Sequence, residues 1–170
     1  MKTLKTLVRS MMFMGCLSGL PAANATSITP AGTNFNSHAT MTLETPGSLG
    51  NPIKCIVALA GMVAADGQSA VINQAIFTGG ADPLCNVTTA QGLPWTMKNF
   101  STPSGSYASG VIQGVNLRSV STMCAVTPVT ITVAWNGSGN QFSLPITQTV
   151  GNCKLREFSF QPSPPLVLIP

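Results

Sequence analysis

Charged residues are scarce in this sequence. Asp, Glu, Lys and Arg make up 7% of the 170 residues, whereas they make up about 25% of an average soluble domain. Eight basic residues against four acidic ones give a formal net charge of +4, but three of the bases fall close to the N-terminus. The others are scattered along the chain: Lys54, Lys98, Arg118, Lys154 and Arg156. Because nucleic-acid binding needs bases clustered on one face, we exclude nucleic acid as a partner.

The groups needed for acid–base or nucleophilic catalysis are equally scarce. The single histidine, His38, lies in a polar stretch, and only four carboxylates are present. Two of these, Asp66 and Asp82, stand in Asp-Gly and Asp-Pro pairs, which are ordinary turn sequences. A nucleophile needs a base held beside it, and no glycine-rich phosphate loop precedes a helix. The sequence therefore predicts a protein that is not an enzyme and binds no cofactor.

The chain has no Cys-x-x-Cys pair, which disfavours a zinc site. Five cysteines are present, of which Cys16 falls in an N-terminal apolar run. The remaining four, Cys55, Cys85, Cys124 and Cys153, form an even set, which predicts two disulfides in an exported protein. Three pairings are possible. We favour Cys55–Cys85 with Cys124–Cys153, because each closes a loop within one half of the chain, worth about 3–4 kcal/mol in the loop-entropy account.

The N-terminal residues have the pattern of a secretory signal peptide. Basic residues precede a short apolar run, residues 11–20, and the triplet Ala23-Asn24-Ala25 supplies the small residues that signal peptidase requires. The apolar run is too short to cross a bilayer, which takes about 20 residues. We therefore predict a cleaved signal peptide, residues 1–25, and a single secreted domain, residues 26–170, with no transmembrane segment in the mature chain.

Acylation of Cys16 would make the chain a lipoprotein instead, but Phe13-Met14-Gly15 is a poor lipobox. The exported chain is expected outside the cell or associated with the outer membrane, with the periplasm as an alternative. Without the leader, five bases stand against four acids, so Thr, Ser, Asn and Gln must supply most of the solvation. Such a surface has little charge repulsion to keep it from other surfaces.

Past the leader the sequence has strand patterns and no convincing helix. Residues 53–63 form a long apolar run with several β-branched residues before the turn signal Asp66-Gly67. Residues 70–78 complete a hairpin, and residues 129–135 alternate apolar and polar side chains with the period of a half-buried strand. In residues 70–78, simple alternation groups Val71 with Ala75 and Phe77, and Ile72 with Gln74 and Ile76. Short strands with turn-rich breaks predict an all-β fold, an antiparallel two-sheet β-sandwich with two disulfides.

Trp95, with Met97 and Phe100 nearby, is the candidate contact for an apolar ligand. Because large aromatic side chains are mostly buried, a core position is the alternative for Trp95. The apolar tail, residues 166–169, offers a similar choice. It is either a final strand or an exposed segment that adds to the edge of another sheet.

Several stretches behind the signal peptide occur together: residues 54–61 (KCIVALAG), 93–95 (LPW), 134–137 (AWNG) and 150–153 (VGNC). With the four-cysteine frame, they resemble the alkane-oxidation protein activators (PraA/PraB-like) of pseudomonads and relatives across most of the mature chain. The resemblance implies a secreted protein that stimulates growth on long-chain alkanes, by dispersing hydrocarbon rather than by oxidising it. It assigns no catalytic or binding residue.

The sequence thus predicts a secreted, non-catalytic accessory protein that promotes alkane utilisation at hydrocarbon or cell surfaces, as an emulsifier or activator. Its expected partners are apolar surfaces or long-chain alkanes, and self-association is a further expectation. The alternative is a structural or adhesive subunit of the cell surface or biofilm matrix, similar to a pilin. The C-terminus lacks the glycine and penultimate tyrosine usual in fimbrial subunits, which disfavours the chaperone–usher form of that alternative.

Overall fold

The computed structural model describes residues 26–79, 82–120 and 122–170. Within them the chain forms β-strands and two short 3-10 turns, Pro46–Ser48 and Pro83–Val87. The strands are β1 (Ser27–Thr29), β2 (Asn34–Glu44), β3 (Ile53–Val63), β4 (Ser69–Gly79), β5 (Thr88–Gln91), β6 (Trp95–Lys98), β7 (Tyr107–Ser119), β8 (Thr122–Met123), β9 (Val129–Asn136), β10 (Gln141–Ser143), β11 (Gln148–Val150), β12 (Cys153–Phe160) and β13 (Val167–Ile169). The all-β prediction is confirmed. The predicted signal peptide, with Cys16, lies outside the described residues.

Eight strands form a closed antiparallel barrel in the order β2-β3-β4-β6-β7-β9-β10-β12. Each barrel strand pairs with the next one along the chain, which is the arrangement of an up-and-down barrel. The barrel closes because β10 pairs with β9 on one side and with β12 on the other, where Phe142 lies opposite Phe160. On its other side β12 pairs with β2.

The predicted two-sheet β-sandwich is therefore wrong. In a sandwich and in a barrel alike, one face of each strand is buried and the other is exposed. The alternation in residues 129–135 fits both architectures, since Ile131, Val133 and Trp135 are buried in the barrel wall. What distinguishes them is that β12 pairs with β10 on one side and, on the other, with β2 from the far end of the sequence, so the sheet has no open edge.

Aromatic side chains fill much of the barrel interior. Phe142 stacks on Phe160 with ring centroids 5.1 Å apart, and Phe100 meets Phe142 edge-on at 5.8 Å. Phe35 and Trp95 are each only 1% exposed. An eight-stranded barrel is narrow enough for side chains to fill, so these rings form the hydrophobic core.

A β-bulge changes the faces of β4. The pairing of β3 with β4 shifts register between Ala60 and Gly61. As a result Ile72 is fully buried, together with Ala75, whereas Val71 is only half-buried. The grouping of Val71 with Ala75, which simple alternation predicts, is wrong because the bulge inserts an extra residue between them.

The two ends of the barrel differ. At one end, hereafter the ribbon end, β1 and β13 pair with each other, Ile28 opposite Leu168, so the apolar tail is a final strand. The ribbon reaches across the barrel: Ile28 N donates to Gly67 O at 2.7 Å, and Trp135 Nε1 donates to Leu166 O at 3.2 Å. Within the ribbon, the side chains of Ile28 and Leu168 are buried. The ribbon therefore covers this end of the core.

Candidate functional site

The opposite end of the barrel holds both disulfides, and we call it the disulfide end. Cys55 is bonded to Cys85 and Cys124 to Cys153, which are the pairs favoured from the sequence. Here the connections are longer than at the ribbon end, since they include residues 45–52, 122–128 and 144–152. The bonds fasten the segments that bear Cys85 and Cys124 to strands β3 and β12 of the barrel wall.

Large apolar side chains protrude from the disulfide end. Leu49 is 89% exposed and Val126 is 100% exposed, while Val87, Val120 and Met123 are between 40% and 49% exposed. We call these five residues the apolar rim. Scattered exposed apolar residues are ordinary, but a cluster of them indicates an interaction surface.

The rim residues come from neighbouring loops. Val120 N donates to Val87 O at 3.1 Å, which joins two of the loops. A β-carbon at Gly47 would lie 3.4 Å from Val120 Cγ2, so the Leu49 loop packs against the same valine. Met123 lies on β8, whose pairing with β7 places it opposite Arg118. The Leu49 loop, Val87 and Val120 therefore meet at one surface, and Met123 and Val126 stand on the segment that follows Val120.

The Leu49 loop is held by a reciprocal cap. Ser48 N donates to Thr45 Oγ1 at 3.1 Å, and Thr45 N donates to Ser48 Oγ at 3.0 Å. Both capping residues are buried. Leu49 itself has φ 52° and Val120 has φ 58°, in the left-handed region that branched side chains rarely adopt. The surrounding structure therefore holds two rim side chains outward at the expense of backbone strain.

The segment that bears Val126 is held by a buried asparagine. Asn116, 3% exposed, donates from Nδ2 to Ala125 O at 3.0 Å and accepts from Ala125 N at 3.3 Å. On the other side Asn152 N donates to Cys124 O at 2.7 Å. Val126 thus stands fully exposed on a segment whose preceding residues are fixed by hydrogen bonds and a disulfide.

A second apolar surface lies on the outer face of β3 and β4. Ile56 is 49%, Met62 40% and Ile76 48% exposed. Charged side chains gather instead on the adjoining strands β2 and β12. There the buried Glu44 forms an ion pair with Arg156, with Lys154 Nζ 4.0 Å from its other oxygen. We call Ile56, Met62 and Ile76 the apolar wall, which the exposed Lys54 and Gln74 on the same face interrupt.

The residues predicted to contact an apolar ligand are in the core. Trp95 is 1% exposed and Met97 is fully buried, and Trp95 Nε1 donates to Gln91 O at 2.9 Å. Phe100 is 9% exposed and lines a surface pocket at the ribbon end. The structure thus brings Phe100 alone to a surface opening, and contact with a ligand by all three residues stays a prediction.

His38 lies on the outer face of β2, opposite Ala58 of β3. It lines a pocket of about 210 Å³ with Gln141 and Gln161, and no acidic residue lines that pocket. In the described part of the chain, no three His, Cys, Asp or Glu side chains come together as metal ligands would. Among the same residues, no helix has the length and apolarity needed to cross a membrane.

Sequence reasoning missed the apolar rim. Leu49 and Val87 each stand among small or polar residues, and Val120, Met123 and Val126 lie on a separate segment without strand alternation, so no window of the sequence shows the whole cluster. The only local signal is an aliphatic residue within a turn-rich segment, such as Val126 in Ala-Val-Thr-Pro. Such residues become a surface only when the disulfide end brings their loops together.

The model of one protein family, described as alkane oxidation protein activator PraA/PraB-like, matches residues 1–170. The chain belongs to this family. The resemblance found in the sequence is confirmed, and the PraA/PraB-like family is described as one of activators rather than of enzymes. Neither a curated protein nor a solved structure matches the chain significantly.

Proposed function

We propose that this PraA/PraB-like chain is exported and promotes alkane oxidation without catalysis, by adsorbing to hydrocarbon or to the hydrocarbon-coated cell surface through its apolar rim. The observation on which this depends is the exposure of Leu49 and Val126 at the tips of fastened loops. Transfer of apolar surface out of water is worth about 25 cal/mol per Å². An exposed rim therefore provides a driving force for adsorption that the folded barrel can use without unfolding.

The predicted signal peptide and the cysteines support the proposed export. Two disulfides are expected in an oxidising compartment, and none of the four bonded cysteines is exposed. Export would place the protein where it meets hydrocarbon outside the cell. The scarcity of charge supports adsorption as well, because little electrostatic repulsion opposes contact with an apolar phase.

The test is the tension of a hexadecane–water boundary in the presence of the purified exported protein at micromolar concentration. We expect the protein to lower it. Burial of a Leu or Val side chain is worth roughly 1.5–3 kcal/mol, so the double variant Leu49→Ser/Val126→Ser should need roughly a hundred times more protein for the same effect, or more. The same variant should restore less hexadecane consumption to cells that lack the protein.

The matched control is Ile169→Ser. Ile169 is also an exposed aliphatic residue, at 43%, but it lies on β13 at the ribbon end, away from the rim loops. Its substitution should leave the interfacial effect unchanged. An equal loss in both variants would mean that general surface hydrophobicity, not the rim, is responsible. Absence of any effect of the parent protein would refute the proposal.

A structural or adhesive subunit is the second candidate, favoured by the apolar wall at Ile56, Met62 and Ile76. Two such walls could bury each other in an assembly. The tail does not support it, since β13 pairs with β1 of the same chain. Electron microscopy and light scattering of the secreted protein test this candidate, because an assembly should be visible in the absence of hydrocarbon.

A further inference from the structure

A pocket of about 330 Å³ opens at the ribbon end, on the opposite side of the molecule from the apolar rim. It lies where β4 begins and β6 ends, since Ser69 and Lys98 are partners in the β4–β6 ladder. Its lining residues are Thr26, Gln68, Ser69, Lys98, Asn99 and Phe100. Small-molecule sites have volumes of about 300–1,000 Å³, so the pocket is large enough for a small ligand.

The lining has one cation, several neutral hydrogen-bond donors and one aromatic ring. Lys98 is the only charged side chain among the lining residues. Asp66, the acid just before the lining residue Gln68, accepts a hydrogen bond from Gln68 N at 2.9 Å and does not line the pocket. A cation without a facing acid favours an anionic ligand. The ring of Phe100 adds an apolar surface beside that charge.

Thr26 adds a second observation that points to a ligand. The residue is 8% exposed, and its Oγ1 is buried without a hydrogen-bond partner. A buried hydroxyl without a partner costs about 1–3 kcal/mol. A ligand oxygen in the pocket would remove that cost by accepting the hydroxyl proton.

Cleavage after Ala25 would make Thr26 the N-terminal residue. Its α-amino group, mostly protonated at pH 7, would then stand at the same pocket as the Lys98 ammonium. Signal-peptide removal would thus add a second cation to the site. This part of the argument rests on the proposed export of the chain.

We propose that the pocket binds a carboxylate that bears a short alkyl chain. The carboxylate is held by the Lys98 ammonium and the Thr26 α-amino group and accepts from the Thr26 hydroxyl, while the alkyl chain packs against Phe100. The two cations and the hydroxyl are the reason for proposing a carboxylate head group, and the aromatic ring is the reason for proposing an alkyl tail.

Titration calorimetry with sodium octanoate tests the site. The protein is purified after export, and intact mass shows whether it begins at Thr26. We expect saturable binding of one octanoate, with weaker binding of acetate, which lacks the tail, and of 1-octanol, which lacks the charge. A hydrogen bond to a charged group contributes more binding free energy than one between neutral groups. Lys98→Met should therefore weaken octanoate binding about tenfold. Thr26→Val, which keeps the shape but removes the hydroxyl, should weaken it as well.

Lys154→Met is the control, since Lys154 lies beside Glu44 at the far end of the barrel. It should bind octanoate as the parent does. Loss of binding in this control as well, or equal affinity for acetate and octanoate, would overturn the proposal, as would an N-terminus elsewhere than Thr26. The rim variant Leu49→Ser/Val126→Ser should retain octanoate binding, and Lys98→Met should retain the interfacial effect. The pocket proposal and the rim proposal can therefore be refuted independently.

Discussion

Single glycines in the barrel wall make room for the aromatic rings of the core. A β-carbon at Gly110 would lie 2.5–2.8 Å from three atoms of the Phe100 ring. At Gly61 it would clash with the ring of Phe35 and with Val71 O. Neither glycine has a positive φ, so space rather than backbone conformation requires them. Each ring can lie close to the wall only because the residue beneath it has no side chain.

Gly110→Ala should therefore destabilise the protein. Overpacking of a filled core costs about 1–3 kcal/mol, and urea unfolding followed by fluorescence measures the loss. Gly139→Ala is the control, because a β-carbon there meets no heavy atom closer than 3.9 Å; its effect should stay within about 0.5 kcal/mol. Similar stabilities for the two variants would contradict the packing argument.

At the scale of a structural element, the segment 122–126 shows how the rim is supported. Its backbone is tied to the side chain of Asn116, which accepts from both Ala125 N and Leu117 N. Because these groups are buried, no solvent replaces the amide if it is removed. The position of Val126 therefore depends on an asparagine that is itself out of reach of any surface ligand.

Asn116→Ala should release this segment while keeping every rim side chain. We expect a stability loss of about 1–3 kcal/mol from buried groups left without partners. Amide hydrogen exchange in residues 122–126 should speed up, and the effect on hexadecane tension should fall. Asn136→Ala is the control: Asn136 accepts from Ser138 N in an exposed turn, so exchange in residues 122–126 should not change. Unchanged exchange in Asn116→Ala itself would argue against this support.

At the scale of the whole molecule, barrel closure gives every strand of the wall two neighbours. The closing strand, β10, has only three residues, yet its Phe142 is fully buried and stacks on Phe160. Loss of this strand would open the wall between β9 and β12. Because β12 also pairs with β2, the first and last strands of the barrel support each other, and the wall has no free edge while β10 is in place.

Unfolding should accordingly occur in one cooperative step. Trp95 and Trp135 are buried in different strands, so their fluorescence and the far-ultraviolet dichroism of the sheet should change at the same urea concentration. Phe142→Ala should lower both midpoints together, with a loss of about 3–5 kcal/mol. Two separate transitions, or a helical dichroism spectrum, would contradict a closed barrel that unfolds as a unit.

The strands themselves were predictable because hydrophobic periodicity is local. The apolar run at 53–63 coincides with β3, and the alternation at 129–135 matches the buried face of β9. The bulge opposite Gly61 left only weak signals, Asn73 in β4 and an isolated glycine in β3, because a glycine within a strand marks either a bulge or a close approach and the sequence does not decide which. The burial of Met97 was equally beyond a local pattern, since it depends on which strands surround β6.

By itself the sequence determined the all-β class, the two disulfides and the family, because these depend on residue types, their local period and their order along the chain. The tertiary structure alone decided that the sheet closes into a barrel and that Leu49, Val87, Val120, Met123 and Val126 form one rim. Closure and rim both result from contacts between residues far apart in the sequence. The apolar–polar alternation within a strand does not reveal these contacts, because it is the same whichever distant segment pairs with the strand.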